Sequence, residues 1–487
     1  MGLFKNKQKP NELDTTIGYK LVKKSKETVR VDVPFLAESR FDHTLIVGSA
    51  GSGKTFKILT PMVLKDISIK SKPVGVTVME PWGSFAEETY LAAKEFNKNI
   101  DDAIKAGSYT KETHGDKKLI QYFNPKLDNC PYFNPLEGNI DNVVENIANA
   151  FLLFNTGMAP FTRDICYTLI KNAIKIAKRL YGDEATFFDL EVIICNPENR
   201  GLKNYVIPFG DMLTDFNGEH LNAAQRKERE EIVNWFINDY YLGMDLGDKA
   251  PKTFRNSQII RDQITKLNTH KYLRKILNPP HKGSPNYQEY LKFQEECKKN
   301  ETVYKLDIFE AIDKGHVLAI TTSVPTLRVF GNLLGYFLML QIQTAILSRS
   351  GNEDSRIENM IYIDDFQNCA NNQFIEVLRT AKTYKVAFHL AMQSRYQFIG
   401  DDNLINKNFA DILFAHAKNR IVFSKLSYLD AEYFLKEYLS FFEKKNAIKK
   451  SPIKTRGDIL EIPDNEILYS LTTNGMSTPF DRAYTLR

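Results

Sequence analysis

Eight consecutive residues near the N-terminus carry the most specific chemical signal in the sequence. They read GSAGSGKT, from Gly48 to Thr55, and they fill every fixed position of the phosphate-binding pattern G-x-x-x-x-G-K-[ST]. An apolar run at residues 45–47 precedes the motif and a helical pattern at 56–64 follows it, which is the strand, loop and helix context that such a loop requires. The alternative is a Gly/Ser turn that only joins a strand to a helix.

The residue types of this loop suit a phosphate ligand. Glycines let successive backbone N–H groups point at phosphates at the N-terminal end of a helix, where the helix dipole favours an anion. We predict that Lys54 reaches the β and γ phosphates of ATP and that the Thr55 hydroxyl ligates Mg²⁺. The predicted nucleotide-binding residues are Gly48, Gly51, Ser52, Gly53, Lys54 and Thr55.

Two adjacent carboxylates follow a second apolar run. Asp364 and Asp365 come directly after MIYI at residues 360–363. A phosphate-binding loop needs an acidic group at the end of another strand, to hold the metal and to orient the attacking water. We predict that Asp364 holds Mg²⁺ and that Asp365 is the catalytic base or water-orienting group. The alternative is an Asp-Asp turn that only caps the following helix.

A glutamine ends the next predicted strand. Gln393 follows residues 386–392, and a glutamine at a strand tip can sense the γ phosphate and place water, as in other NTPases. Taken alone it would be a plain loop residue, but its position after the two preceding motifs predicts a catalytic role. An extra strand between the phosphate-binding loop and the carboxylates is typical of RecA-like motors rather than of small kinases.

The composition is that of a folded globular protein. The chain has 487 residues, of which 43% are hydrophobic and 26% charged, and this length predicts about three domains. Its five cysteines are odd in number, scattered and never in a C-x-x-C pair, which favours a reducing compartment over a disulfide framework or a zinc site. The net charge of +5, from 65 basic and 60 acidic residues, is too balanced to indicate a nucleic-acid partner by itself.

Short apolar runs alternate with longer helical patterns in two separate parts of the chain, which predicts an α/β fold with a mostly parallel sheet flanked by helices. The helical periodicity of residues 164–181 and 221–241 predicts an all-α insertion between those parts. The predicted strands cover residues 31–36, 44–47, 74–79, 119–123, 317–322, 360–364, 386–392, 412–415 and 420–423.

These patterns divide the chain into four segments. We assign residues 1–40 to a basic N-terminal arm with one leading strand and 41–160 to the first part of the nucleotide-binding domain. Residues 161–304 form the predicted all-α domain, and 305–487 the second part of the nucleotide-binding domain.

Several short segments follow the phosphate-binding segment 43–64 along the chain: EPWGS at 80–84, NPL at 134–136, and residues 317–322, 392–394 and 419–421. In their order, and from residue 43 onward, the chain resembles the conjugative type IV secretion coupling proteins (TraG/TraD-like), which are relatives of the FtsK-type DNA translocases. The collinearity of these segments carries the resemblance. It implies a RecA-like P-loop NTPase domain with an inserted all-α domain, assembled as a homo-hexamer with nucleotide between subunits.

The sequence departs from the family pattern at three places. Asp365 stands where the family usually has Glu, and Glu80 and Trp82 replace an Asp and a Lys. The position of the arginine that reaches the neighbouring subunit's γ phosphate is occupied by Lys382, with Arg379 nearly one helical turn earlier. The resemblance therefore implies that Lys382 or Arg379 is the catalytic cation in trans, and a lysine lacks the planar fork of an arginine.

A basic stretch in the insertion is a candidate substrate surface. Its cations face a single acid, Asp262, and are interleaved with Phe254 and Tyr272. Such a surface could follow a phosphate backbone or contact an acidic partner, and the alternative is a solvated helix face. The basic residues are Lys252, Arg255, Arg261, Lys266, Lys271, Arg274 and Lys275.

The resemblance implies a function in conjugation. The protein would be an ATPase that recruits DNA, single-stranded DNA in particular, or a DNA–relaxase complex, and delivers it to type IV secretion channel proteins. One alternative is a DNA translocase for chromosome segregation or phage packaging. The other is a receptor that docks protein substrates and uses ATP only to switch conformation.

No segment of the sequence is predicted to span a membrane. The longest apolar stretch, residues 333–347, contains Gln341 and Gln343 and is shorter than the roughly 20 residues required. We expect a cytoplasmic protein that a small membrane-anchor protein recruits through the N-terminal arm, with a weak contribution from the arm's basic residues. The alternative is a wholly soluble enzyme. The lysines of the arm and leading strand are Lys5, Lys7, Lys9, Lys20, Lys23, Lys24 and Lys26.

Overall fold

The structure is a computed structural model that describes residues 11–24, 27–155, 157–195, 205–242, 246, 252–282, 284–398, 408–443 and 453–486. The first ten residues of the predicted basic arm, and Lys26, lie outside this part of the chain. Helices and one large sheet make up the architecture.

The sheet has eleven strands in the order β2-β1-β13-β10-β9-β3-β8-β7-β4-β6-β5, and β11 and β12 form a separate pair. The strands are β1 Thr15–Lys24, β2 Glu27–Phe35, β3 Thr44–Val47, β4 Gly75–Glu80, β5 Ile120–Phe123, β6 Val317–Thr321, β7 Asn359–Ile363, β8 Val386–Met392, β9 Asn419–Val422, β10 Glu466–Ser470, β11 Thr472–Thr473, β12 Met476–Ser477 and β13 Asp481–Tyr484.

The sheet is parallel from β9 to β5. Every residue of β3, β4, β6, β7, β8 and β9 is buried, as expected where helices cover both faces of a parallel sheet, and most of these residues are apolar. Strands β3 to β9 match the predicted strands at 44–47, 74–79, 119–123, 317–322, 360–364, 386–392 and 420–423 to within one residue at each end. The predicted mostly parallel α/β fold is confirmed.

Strand β8 lies between β3 and β7. Val47 of β3 is in register with Met392 of β8, and Ile363 of β7 is in register with Leu390. The chain therefore leaves the phosphate-binding strand, the glutamine strand and the carboxylate strand at one edge of the sheet, which we call the carboxyl edge. The predicted strand between the phosphate-binding loop and the carboxylates is confirmed.

Helices cover the sheet, and in the described parts of residues 140–299, a range that includes most of the predicted all-α insertion, the named elements are helices. The assigned domain boundaries stay a prediction. The α-helices are Ala37–Arg40, Thr60–Ile67, Ser84–Lys105, Lys111–His114, Ile140–Phe154, Pro160–Tyr181, Phe187–Cys195, Ile207–Asp211, Ala223–Trp235, Lys252–Asn256, Gln258–Thr269, Leu273–Ile276, Tyr287–Lys299, Ile308–Lys314, Val324–Leu327, Val329–Leu347, Phe374–Thr380, Phe409–His416, Tyr428–Glu443 and Arg456–Leu460.

The N-terminal region differs from its prediction. Instead of one leading strand, β1 and β2 form an antiparallel hairpin that joins the sheet through β13. The polar sequence of β1 conceals a strand because burial decreases along its length: Ile17 is 1% exposed, whereas Leu21, four residues further on, is 52% exposed. Pairing with β13, which is distant in sequence, stabilises β1 as a strand although its local sequence does not indicate one.

The strand predicted at residues 412–415 is wrong. These residues lie within helix Phe409–His416. A short apolar run cannot be assigned to strand or helix by periodicity alone. The buried residues Phe409, Ala410, Leu413 and Phe414 are spaced as one face of a helix, so packing against the core decides the conformation.

Helix Val329–Leu347 lies in the core. It has 19 residues and, among the described residues, is the one helix long and apolar enough to cross a membrane by length and composition. The sequence stretch appeared too short because the helix begins at Val329, before the apolar run. Within its apolar window 72% of the residues are buried inside the protein, and Phe337 packs against Phe151 with ring centroids 5.8 Å apart. A core helix passes the same length test.

Candidate nucleotide-binding site

The phosphate-binding loop depends on three glycines. Gly51 and Gly53 have φ values of 75° and 100°, in the left-handed region that residues with a Cβ rarely adopt. A Cβ on Gly48 would lie 2.7 Å from the Cβ of Phe423 and 2.7 Å from the Oγ of Ser52. The loop can therefore turn tightly over the end of β3 only with these residues. It leads into a π-helical turn, Lys54–Leu59, which continues as helix Thr60–Ile67.

Lys54 lies at the centre of this loop. Its side chain is buried at 6% exposure, and Nζ donates hydrogen bonds to the carbonyl oxygens of Gly48 and Ser49 at 2.7 Å and 3.0 Å. Burial lowers the pKa of Lys54, while the neighbouring Asp364 and Asp365 raise it. The ammonium is thus held against carbonyl oxygens of the loop, at the N-terminal end of the helical segment, where an anion is favoured.

The predicted metal-binding pair is in contact. The Thr55 hydroxyl donates to Oδ2 of Asp364 at 2.5 Å, and the Asp364 backbone N–H donates to the carbonyl of Met79 on β4 at 3.0 Å. Burial raises the pKa of Asp364, although the bond from Thr55 opposes this. Protein sites usually bind Mg²⁺ through one or two carboxylates together with phosphate oxygens and waters. The roles of Thr55 and Asp364 as Mg²⁺ ligands stay a prediction.

Asp365 is held by donors from three segments of the chain. Its Oδ2 accepts from Nε1 of Trp82 at 2.9 Å, and its Oδ1 accepts from Nε2 of Gln393 and of Gln367, both at 3.2 Å. The structure therefore brings Gln393 to the second carboxylate, although they are 28 positions apart in the chain. Their catalytic roles stay a prediction.

Glu80 and Trp82 are part of this site, and sequence reasoning did not include them among the site residues. Glu80 is 2% exposed and accepts from the backbone N–H groups of Trp82 and Gly83 at 2.6 Å and 2.5 Å. Burial raises the pKa of Glu80 to about 7, against the opposing effect of these N–H groups. The available signal was the EPWG turn itself, which stands at the end of a strand that neighbours the carboxylate strand.

The predicted trans cations lie elsewhere. Lys382 donates to Oδ1 of Asp42 at 2.9 Å, and Arg379 contacts Glu376 and His416 at 2.8 Å and 3.2 Å. Residues 379–382 precede β8, whereas the phosphate-binding loop follows the parallel strand β3. The cations are therefore at the opposite, amino edge of the sheet and do not join the site within one chain.

The basic stretch of residues 252–275 does not form a single helix face. Arg261 points inward: its guanidinium lies 3.9 Å from the ring centroid of Phe254 and donates to the Phe254 carbonyl at 2.8 Å. On helix Gln258–Thr269 only Lys266 of the predicted set is exposed. Four other exposed members lie on helices Lys252–Asn256 and Leu273–Ile276, and a fifth, Lys271, lies in the loop before the second of these helices. The substrate surface stays a prediction. These exposed residues are Lys252, Arg255, Lys271, Arg274 and Lys275.

No family model matches the sequence, and no curated protein matches it. Solved structures are similar in fold over nearly the whole chain. The plasmid coupling protein TrwB in complex with the non-hydrolysable ATP analogue ADPNP has a TM-score of 0.55 and 13% identity, covering 96% of this chain and 90% of TrwB. TrwB in complex with ADP and Mg²⁺ has a TM-score of 0.54 with the same identity and coverage.

The unbound form of the bacterial conjugative coupling protein TrwBdeltaN70 has a TM-score of 0.53 and 14% identity, covering 93% of this chain and 86% of that chain. At this identity the similarity concerns the fold. The large, mostly parallel sheet and the many helices match that fold. The chain has the fold of the coupling protein TrwB, an α/β P-loop NTPase fold with a helical domain.

Proposed function

We propose that the protein is an ATP-driven coupling protein, a motor that recruits DNA or a DNA–relaxase complex and delivers it to a type IV secretion channel. The observation that carries the proposal is the meeting of the GSAGSGKT loop, Asp364 and the Asp365–Gln393 pair at one edge of the sheet. The resemblance of the sequence to coupling proteins and the TrwB fold support the choice of this motor class.

The residues of the loop fit a nucleotide polyphosphate. Gly51 and Gly53 adopt left-handed backbone conformations over a helix N-terminus, which is the geometry that directs N–H groups at an anion. The Ser52 hydroxyl is 8% exposed, and no partner for it is found within the described part of the chain. A buried hydroxyl without a partner is costly, and a phosphate oxygen would satisfy it.

Each side chain has a distinct task in the proposed hydrolysis. The Lys54 ammonium leaves the carbonyls of Gly48 and Ser49 and donates to the β and γ phosphate oxygens. Thr55 and Asp364 hold Mg²⁺, which neutralises charge on the phosphates when bound. Asp365, oriented by Gln393, accepts a hydrogen bond from the attacking water and so fixes its direction toward the γ phosphate.

The position of Lys382 and Arg379 at the amino edge is compatible with a role at the nucleotide of a neighbouring subunit. Strand β8 separates Lys382 from the carboxyl edge by seven residues, roughly 20 Å of extended chain, which is beyond the reach of a lysine side chain. We propose that Lys382 or Arg379 acts on the nucleotide of a neighbouring subunit in a homo-hexamer, so that hydrolysis depends on assembly. The protein would then work at the cytoplasmic face of the membrane, recruited by a small membrane-anchor protein.

DNA-stimulated ATP turnover tests the motor function. We expect single-stranded DNA to raise the rate of phosphate release by the assembled protein, because a translocase couples substrate contact to hydrolysis. An ATP-switched receptor for protein substrates would hydrolyse ATP at a rate that DNA does not change, and that result would contradict the proposal. A translocase for segregation or packaging would respond to DNA but would not bind a relaxase complex.

Fractionation of producing cells tests the location. We expect the protein in the membrane fraction when the conjugation or secretion genes are present, and in the cytosol when it is expressed alone. Cytosolic protein in both cases would contradict recruitment by a membrane-anchor partner.

A further inference from the structure

We propose that Trp82 is a positioning residue for Asp365: its indole N–H fixes the carboxylate so that Oδ2 is the oxygen that receives the attacking water. The inference rests on the proposed ATP hydrolysis at this site. It assigns a function to a side chain at a position where the resembled family has a lysine.

The backbone of Asp365 needs external support. Its φ and ψ are 49° and 50°, a left-handed conformation that costs a residue with a Cβ free energy unless its surroundings stabilise it. The Asp365 backbone N–H donates to Oδ1 of Asp364 at 3.0 Å, which links the orientation of one carboxylate to that of the other. The side chain of Asp365 is 7% exposed, so few solvent molecules can satisfy its oxygens.

The three donors to Asp365 occupy its two oxygens unequally. An ionised carboxylate offers about four lone-pair sites, two on each oxygen. Oδ1 accepts from both Gln393 and Gln367, whereas Trp82 is the one donor to Oδ2 among the residues that the structure describes. The remaining acceptor site is therefore on Oδ2, beside the indole. A water bound there would point its oxygen away from the carboxylate, as an attacking nucleophile requires.

The turn that carries Trp82 is fixed at both ends. The Glu80 carboxylate accepts from the N–H groups of Trp82 and Gly83. The carbonyl oxygens of Glu80 and Pro81 accept from the N–H groups of Thr322 and Val324, each at 3.0 Å. The indole is thus presented by a turn that joins β4 to helix Ser84–Lys105 and is hydrogen-bonded to the residues after β6, and such support is what precise orientation of another side chain demands.

Core packing does not explain this tryptophan. The residue is 57% exposed, so its ring buries little apolar surface and adds little to the stability of the fold. Its polar atom nevertheless reaches Oδ2 of Asp365 at 2.9 Å, across 283 positions of the chain. A side chain that is mostly exposed but directs its one donor at a buried catalytic carboxylate is better explained by positioning than by packing.

Two substitutions at position 82 distinguish the effect of the N–H donor from the effect of the aromatic ring. Trp82→Phe keeps an aromatic ring and removes the N–H, and Trp82→Lys replaces the ring but keeps a donor on a long side chain. We expect Trp82→Phe to lower kcat for ATP about 10-fold, since a hydrogen bond to a charged group is lost, with KM for ATP unchanged. Trp82→Lys should recover most of this loss.

The matched control is Trp235→Phe, which changes the other tryptophan, in helix Ala223–Trp235 of the helical region. We expect its kcat to equal that of the wild type. Binding of Mg²⁺ and ADPNP, measured by calorimetry, should be the same in the wild type, Trp82→Phe and Trp82→Lys, because positioning of the water-orienting carboxylate acts on the chemical step. Melting temperatures show that each variant is folded.

The outcomes distinguish this inference from the proposed function. A wild type that neither binds ADPNP nor hydrolyses ATP would contradict the proposed function. A wild type that hydrolyses ATP together with a Trp82→Phe variant of unchanged kcat would overturn the positioning role. Equal losses in Trp82→Phe and Trp82→Lys, or a rise in KM with no fall in kcat, would overturn it as well.

Discussion

The two edges of the parallel sheet hold different parts of the predicted machinery. At the carboxyl edge, Lys54, Thr55 and Asp364 are linked through hydrogen bonds and charge, and Gln393 bonds to the adjacent Asp365. At the amino edge, Lys382 is paired with Asp42. The difference teaches that the residues predicted to bind phosphate and metal meet within one chain, whereas the cations predicted to act in trans lie away from them at the other edge.

Among the substitutions that compare the two edges, removal of the Asp364 carboxylate, the predicted Mg²⁺ ligand, should lower ATP turnover most. We expect Asp364→Ala to lower ATP turnover by about 100-fold or more, since a charge that stabilises the transition state is lost. Its melting temperature should change by only a few degrees, because relief from a buried carboxyl whose pKa burial raises offsets the loss of the bonds it accepts from Thr55 and the Asp365 N–H. Phosphate release and thermal unfolding measure the two effects.

The control for this change is Asp354→Ala, which removes an exposed carboxylate from a loop. We expect its turnover to match the wild type. Near-normal turnover of Asp364→Ala would show that the metal is held elsewhere.

Mixed assemblies test whether the two edges belong to one site. Lys54→Ala and Lys382→Ala subunits should each be inactive alone, and their mixture should regain part of the activity because some interfaces combine an intact pocket with an intact cation. The same experiment with Arg379→Ala identifies the cation that acts. Phosphate release at several mixing ratios provides the measurement, and failure of every mixture in rings shown to be mixed would contradict the shared site.

A smaller change probes the second carboxylate. Asp365→Glu restores the residue that the resembled family usually has, and we expect its kcat to stay within about threefold of the wild type or to rise if Asp365 orients water. Steady-state kinetics measures this. A severe loss would mean that the donors Trp82 and Gln393, which contact Asp365 at 2.9 Å and 3.2 Å, have adapted the pocket to the shorter side chain.

The smallest expected effect concerns stability and pH. The pKa of Glu80 is about 7 in the fold against an ordinary value of 4.5, so between these values the folded state binds the proton more tightly than the unfolded state. The stabilising contribution is fully present below about pH 4.5 and is lost as the pH rises through about 7. We expect the melting temperature to fall by a few degrees between pH 5 and pH 8.

Glu80→Gln provides the comparison, because its amide does not titrate. The melting temperature of this variant should change less between pH 5 and pH 8 than that of the wild type. Equal changes in both proteins would show that other groups determine the pH dependence.

The residues at the carboxyl edge could be predicted where a neighbouring stretch of sequence identifies them, and could not where only the folded chain brings them together. The GSAGSGKT loop and Asp364 each follow an apolar strand, and parallel strands bring their carboxyl ends to one edge, so their contact follows from the sequence. Trp82 was not predictable as a partner of Asp365, because that hydrogen bond depends on the position of β4 beside β7. Sequence spacing contains no information on such a contact.

The strands and helices likewise divide into those that local sequence predicts and those that tertiary packing decides. Strands β3 to β9 were predicted closely, because six of the seven are buried at every residue and most of their residues are apolar. The half-exposed strand β1 was missed, and the apolar run 412–415 was assigned to a strand although it is helical. In both cases tertiary packing decides the conformation against a weak local preference.

Phosphate release by the wild type and by Lys54→Ala tests the central claim, that the carboxyl edge binds and hydrolyses ATP. Lys65→Ala, which changes an exposed lysine on helix Thr60–Ile67 just beyond the loop, is the matched control. We predict Mg²⁺-dependent turnover by the wild type and by Lys65→Ala, and a loss of about 100-fold or more in a folded Lys54→Ala protein. Near-normal turnover by Lys54→Ala would contradict the account.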